Sequence, residues 1–144
     1  MKYIISCLTY NYARFSGRAR RKEYWMFQLF NIPFFLLINI LLINIQSPLS
    51  EILYIFSILL TLVLFLPQIS VTVRRLHDIN KSGGWVFLSV PVYLRDMLKI
   101  MHWPSTAIMT IAIIGSIILL VMMIMPGNEG ENQYGPDPKD LDIE

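Results

Sequence analysis

Hydrophobic positions in this chain fall into three long runs without a single charge, Tyr24 to Ser50, Ile52 to Val73 and Ile100 to Asn128, separated by short polar strings. Each run reaches the roughly 20 residues that an α-helix needs to cross about 30 Å of hydrocarbon. The runs predict transmembrane helices over about 24–45, 50–73 and 105–125. Between the last two, Trp85 to Leu94 is apolar but short, is interrupted by Pro91, and is followed by Arg95, Asp96 and Lys99. Leu94, Met97, Leu98 and Met101 then fall at the i, i+3, i+4, i+7 spacing of an amphipathic helix. Two arrangements satisfy this stretch. In the favoured one residues 85–101 cross the bilayer, Arg95 and Lys99 snorkel to the outer face, and Trp103 and Pro104 turn the chain into a fourth crossing. In the other, residues 85–103 lie along the inner interface and the chain crosses three times. The expected fold class is all-α, a polytopic transmembrane helix bundle of four helices rather than three, forming a single integral membrane domain over residues 1–144.

Composition agrees with this reading. Hydrophobic residues make up 55 % and charged ones 15 %, against roughly 45–50 % and about 25 % in soluble domains. Charge also sets a direction. Lys2, Arg14, Arg18, Arg20, Arg21 and Lys22, half of the 12 basic residues, precede the first run. The connection Gln46 to Ser50 has none, and the next carries Arg74, Arg75 and Lys81. By the positive-inside rule the amino terminus and the second connection are cytoplasmic. Tyr24, Trp25 and Trp85 stand where interfacial aromatic residues belong. The apolar stretch Tyr3 to Leu8 is too short for a signal peptide, and for the same reason a lipidated Cys7 is not expected. One cysteine excludes an intrachain disulfide. The tail, Pro126 to Glu144, has six acidic residues and one lysine among glycines and prolines, and reads as irregular and turn-rich.

Within the helices, Gln28, Asn31, Asn39 and Gln46 share one side of the first, and Tyr54, Ser57, Thr61, Gln68 and Thr72 one side of the second. Amides and hydroxyls in hydrocarbon seek one another, so both stripes should face the bundle interior as interhelical hydrogen bonds. A transporter or channel would use the same stripes. Without an ionisable residue among them a proton or ion pathway is disfavoured. Pro33 and Pro67 each remove a backbone hydrogen bond, and Ala112, Gly115 and Ser116 are small enough for close helix packing.

Two polar strings carry what chemistry there is. FSGRARRKEYW, Phe15 to Trp25, is either a topology signal at an anionic lipid surface or a phosphate grip made by Arg18, Arg20 and Arg21, with Glu23 as partner to an arginine of the other string. RRLHDINKSGGW, Arg74 to Trp85, contributes Arg74, Arg75, His77 and Asp78. A catalytic reading makes His77 a general base, as in an enzyme acting on lipid phosphates. Adjacent residues on a helix point about 100° apart, however, so Asp78 is poorly placed to orient His77. Asp78 is expected to cap the turn or pair with an arginine, and His77 to bond backbone or a headgroup. With no nucleophile beside the histidine, no catalytic residue is assigned. No metal-ligand spacing and no cofactor motif occur. Asn80 and Gly83-Gly84 mark a tight turn.

Taken together, GRARRKEYW at Gly17 to Trp25, RRLHDINKSGGW, and a tail carrying Pro126, Gly127, Gly130, Asn132, Tyr134, Gly135, Pro136, Asp137 and Pro138 resemble a bacterial inner-membrane family catalogued as domain of unknown function 805. The resemblance covers nearly the whole chain. It departs where the family usually has glycine and this chain has Asn80, and where a second tryptophan is replaced by Gly84. It implies a small integral inner-membrane protein without an established activity and assigns no catalytic residue. The reading that results is a non-enzymatic membrane protein with a cytoplasmic surface of Arg18, Arg20, Arg21, Glu23, Arg74, Arg75, His77, Asp78, Asn132, Tyr134 and Asp137. The expected partners are the lipid bilayer, its anionic headgroups, a partner protein or a second copy, and no nucleic acid. Asp137 is expected to reach Arg74 or Arg75.

Overall fold

The computed structural model describes residues 2–44, 48–89 and 105–140. Among these the chain is all-helical: α1 (Lys2–Leu8), α2 (Arg21–Asn44), α3 (Pro48–Asp78), a 3-10 helix (Gly83–Ser89) and α4 (Ser105–Ile124). No strand is present among them, only an isolated bridge between Asn132 and Gly135. The three charge-free runs become α2, α3 and α4. Helix α1 was not expected, because Tyr3 to Leu8 is too short to show a period. Helix α3 runs five residues past the predicted boundary at 73, since nothing in Arg74 to Asp78 breaks a helix, and Arg75 and His77 in its last turn suit the negative end of its dipole. The RRLHD string is therefore helix, not loop. Of the predicted helix 85–101, residues 85–89 lie in the 3-10 helix and the rest fall outside the described residues, as does the turn at Trp103 and Pro104.

Two compact units are present: Met1–Phe15 with Lys22–Val71, and Ser16–Arg21 with Thr72–Glu144. In the first, Cys7, Phe27, Leu64, Pro67 and Val71 are buried, and the Cys7 thiol donates to Glu23 Oε1 at 3.6 Å. Pro67 cannot supply the N–H that the Val63 carbonyl would accept in an unbroken helix, and Tyr12 Oη donates to that carbonyl at 2.6 Å instead. Ser70 Oγ holds the segment after α1, at 2.9 Å from the Asn11 carbonyl and 2.6 Å from that of Arg14. The polar stripes behave in two ways. Asn31 Nδ2 donates to Gln68 Oε1 at 3.2 Å, an interhelical bond of the expected kind. Ser57 and Thr61 instead donate back to Tyr54 and Ser57 carbonyls of their own helix, and Tyr54 is exposed. Among the described residues that half of the α3 stripe makes no interhelical hydrogen bond, because a hydroxyl one turn from a carbonyl satisfies itself locally. The side chains of Asn39 and Gln46 lie outside the described residues.

The outer surfaces of these helices are apolar. Leu29, Ile32, Leu36, Ile52, Ile55 and Leu62 are all exposed. Residues Glu51–Asp78 form a helix long and apolar enough to cross a membrane, some 42 Å at about 1.5 Å per residue. Such faces are stable against lipid tails and not against water.

In the second unit α4 buries one stripe, Ala112, Leu119, Met122 and Met123, and exposes Ile111, Ile114, Ile117 and Val121. Helix α4 packs against the 3-10 helix. A Cβ at Gly115 would lie 2.7 Å from the Leu88 carbonyl oxygen, so only glycine admits this approach. Gly115 stands nine residues before the end of α4, which places Leu88 about 14 Å back along the helix axis from that end.

Candidate functional site

The site begins with how α3 stops. Asn80 adopts φ 57°, the left-handed region that glycine enters without cost. This lets the Lys81 N–H donate to the Leu76 carbonyl at 2.9 Å and the Asn80 N–H to His77 at 3.0 Å. These bonds form a Schellman cap. Distant parts of the chain also bond carbonyls of the last turns. Ala19 N–H donates to Arg74, Asn128 N–H to Asp78, at 2.9 and 2.8 Å, and Asn132 Nδ2 to His77 at 2.9 Å.

Asp78 lies at the centre, 5 % exposed. Its Oδ1 accepts from Arg18 Nε at 3.0 Å and its Oδ2 from Arg75 Nη1. Both guanidinium groups are buried. A buried ion cluster is stable only when the other donors are also satisfied, and here backbone carbonyls do this. Arg18 donates through Nη1 to Gly130 and Gly135 and through Nη2 to Asn128. Arg75 donates to Met123 at 3.3 Å and to Met125, while Arg21 Nη1 reaches Ile124 at 3.3 Å. Three consecutive carbonyls at the end of α4, which have no partner within the helix, are thus capped by arginines. Gly127 is the closest approach: a Cβ there would lie 2.1 Å from Asp78 Oδ2.

The tail closes the cluster. Its chain turns between Asn132 and Gly135, and the Tyr134 ring stacks on the His77 ring with centroids 3.8 Å apart and planes 2° from parallel. His77 Nδ1 is 3.1 Å from the Gly17 carbonyl, which can only accept, so Nδ1 carries the proton. Asp137 shapes the turn, accepting from Lys139 N–H at 2.9 Å and Gly130 N–H at 3.2 Å. The Lys139 bond is the main reason its carboxyl titrates below the usual value, with Gly130, Arg18 and Lys139 adding to it against the effect of burial.

The structure thus brings Arg18, Arg75, His77, Asp78, Asn132, Tyr134 and Asp137 into one polar clasp, joining the end of α3, the end of α4 and the GRAR string. Two sequence expectations are corrected. Arg18 is not part of an open phosphate grip, because its guanidinium is engaged with Asp78 and three tail carbonyls. Asp137 reaches neither Arg74 nor Arg75, because backbone N–H groups within its own turn take both its oxygens. Arg74 is buried, Arg20 half-buried and Arg21 exposed. Glu23 sits in the first turn of α2 and accepts the Cys7 thiol. Sequence reasoning gave Gly127 no role of its own and missed Asn128 and the capping of α4. The dipeptide Pro126-Gly127 after an apolar run was the one available sign of a close turn.

Residues 12–136 match the protein family described as Protein of unknown function (DUF805). This chain belongs to that family. Among its DUF805 relatives, inner membrane protein YhaI of Escherichia coli K12 is 37 % identical over 141 residues, covering 96 % of this chain and 97 % of YhaI. Inner membrane protein YhaH of the same strain is 37 % identical over 131 residues, 90 % of each chain. The uncharacterized protein YiiR, also of that strain, is 30 % identical over 139 residues, with 88 % and 87 % covered. No solved structure matches. The relatives' names place this DUF805 protein in the bacterial inner membrane, in accord with the apolar outer faces of its helices.

Proposed function

We propose that this DUF805 protein is a non-enzymatic, four-crossing inner-membrane protein whose amino terminus and clasp face the cytoplasm, and that the clasp surface binds anionic lipid headgroups. The carrying observation is the Asp78 cluster, which ties the end of α3 to the end of α4. Two helix ends held together in this way lie on one side of a membrane. If α4 spans, the chain after Asp78 must cross before α4 can return. Leu88 against Gly115 supports this, since by that residue the chain has risen about 14 Å, half the hydrocarbon thickness, alongside α4. The six basic residues ahead of Glu23 favour the cytoplasm for that shared side.

Headgroup binding rests on the arginines that the clasp leaves at its surface. Arg21 is exposed where α4 ends, and Arg20 is in part exposed beside it. Guanidinium groups at that level meet lipid phosphates, at about 1 kcal/mol each. The surroundings of His77 support a non-enzymatic role: its Nδ1 is engaged with Gly17, its ring face lies on Tyr134, and the carboxylate of Asp78 faces two arginines instead.

A carboxy-terminal reporter pair, one enzyme active only in the cytoplasm and one only outside, tests the topology. Cytoplasmic activity is expected, and periplasmic activity would overturn it. For binding, the protein is released from nanodiscs of mixed phosphatidylglycerol and phosphatidylcholine and its retained lipids are weighed by native mass spectrometry. Retention of phosphatidylglycerol should fall severalfold in Arg20→Ala/Arg21→Ala. Equal retention of both lipids by the wild type would refute headgroup selectivity.

A further inference from the structure

Three of the amide side chains on helices α2 and α3, Gln28, Asn31 and Gln68, belong to the unit whose buried residues include Phe27, Leu64 and Pro67. Gln28 is 8 % and Asn31 6 % exposed. Three residues apart on one helix, their Cβ atoms are about 5–6 Å from each other on a common face. Asn31 Nδ2 donates to Gln68 Oε1, which fixes the orientation of the Asn31 amide. Its Oδ1 is then left buried, with no hydrogen-bond partner among the described residues. A buried acceptor in that state loses its hydration without replacement, and native structures almost always supply a partner. The partner must be a donor small enough to enter beside Gln28 and Asn31, both more than nine-tenths buried, and among the described residues no ionised group bonds Asn31 Oδ1.

We propose that Gln28, Asn31 and Gln68 form a binding site for one ordered water molecule. It donates to Asn31 Oδ1 and bonds the Gln28 carboxamide, which can donate and accept. Pro33, two residues beyond Asn31, removes the N–H that the Leu29 carbonyl would otherwise accept, adding an acceptor in the same turn. A buried water typically makes two to four such bonds. The water makes the contact between α2 and α3 a hydrated joint close to the proline of each helix, Pro33 and Pro67. This inference is independent of headgroup binding and of the number of crossings.

The test uses the full chain in lipid nanodiscs, with asparagine and glutamine side chains labelled with nitrogen-15, and magnetisation transfer from water. The Asn31 side-chain protons should show a cross-peak to a long-lived water. In the near-isosteric variant Gln28→Met that cross-peak should disappear while the Asn31 signals remain, and the thermal midpoint should fall. Resolved Asn31 protons without a water cross-peak would overturn the proposal. A rise in midpoint for Gln28→Met would also overturn it, since a dry site gains when an unpaired amide becomes apolar.

Discussion

Replacing Asp78 by Asn changes one atom type at the centre of the clasp and leaves its shape alone. The carboxylate lies 3.0 Å from Arg18 Nε and pairs with Arg75 on its other oxygen, all three side chains being buried. One unit pair at that distance has a gross attraction of about 5–6 kcal/mol at an effective dielectric constant near 20. Desolvation offsets much of it while the cluster is intact. In Asp78→Asn the offset is lost, because two buried guanidinium groups keep their charge and face each other across a neutral amide. Breaking a buried pair in this way costs about 3–5 kcal/mol, a large part of the total stability of a domain of this size. At about 3 °C per kcal/mol, the melting midpoint in detergent micelles, followed by fluorescence-detected size exclusion, should fall by roughly 10–15 °C. Arg18→Met should be milder, because Asp78 keeps its pair with Arg75 and no charge is left unbalanced, although three tail carbonyls lose their donor. The double variant Arg18→Met/Asp78→Asn should then melt well above the sum of the two single losses. An Asp78→Asn protein melting within about 2 °C of the wild type would refute the argument, because the cluster would then have no net role in the fold.

Three other outcomes follow from the same geometry. Gly127→Ala places a Cβ 2.1 Å from Asp78 Oδ2, so the tail must move off the cluster; a stability loss of at least about 2 kcal/mol and protease cleavage after Met125 in the folded protein are expected. Asn80→Gly should be neutral or stabilising by up to about 1 kcal/mol, and Asn80→Val destabilising by about 1–2 kcal/mol, because residue 80 has φ 57°; thermal midpoints of the two variants in opposite order would contradict this. The Asp137 carboxyl titrates below its ordinary value of 3.8 in the folded chain, so its contribution is complete above that value and is lost as pH falls through the lower, folded one. Tail protection against protease should therefore hold at neutral pH and decline only below about pH 4, and in Asp137→Asn this acid-dependent part of the decline should be absent.

The helices were legible because each follows a long run without charge. The predicted segment 105–125 differs from α4 by one residue, and 24–45 differs from α2 by three at its start and one at its end. The extension of α3 through Asp78 was less legible, because charge reads as the end of a membrane segment even where the helix continues. Local rules also excluded Asp78 as the partner of His77, and the structure pairs it with arginines as those rules require. Which arginine was beyond them. Arg75 is three residues from Asp78 and lies within the reach of helix geometry, whereas Arg18 is sixty residues away. With six basic residues ahead of the first helix, no spacing distinguishes Arg18 from Arg20 or Arg21. The stacking of Tyr134 on His77 was invisible for the same reason.

The expected pairing of Asp137 with Arg74 or Arg75 would hold the tail by opposite charge, and the geometry gives a different account. Glu129, Glu131 and Asp140 are exposed, and Asp137 uses its oxygens on its own turn. What Arg18 and Arg75 grip is the backbone: carbonyls of Met123, Met125, Asn128, Gly130 and Gly135. A carbonyl is offered by every residue, so recognition of this kind depends on the path of the chain and not on its charges. That path is set by Pro126, by Gly127 against Asp78, and by the turn at Asn132 to Gly135. Neutralising Glu129 and Glu131 together should therefore leave the clasp closed, whereas one methyl group at Gly127 should open it. The acidic side chains of Glu129, Glu131 and Asp140 lie outside this grip and set the electrostatic character of the exposed tail surface.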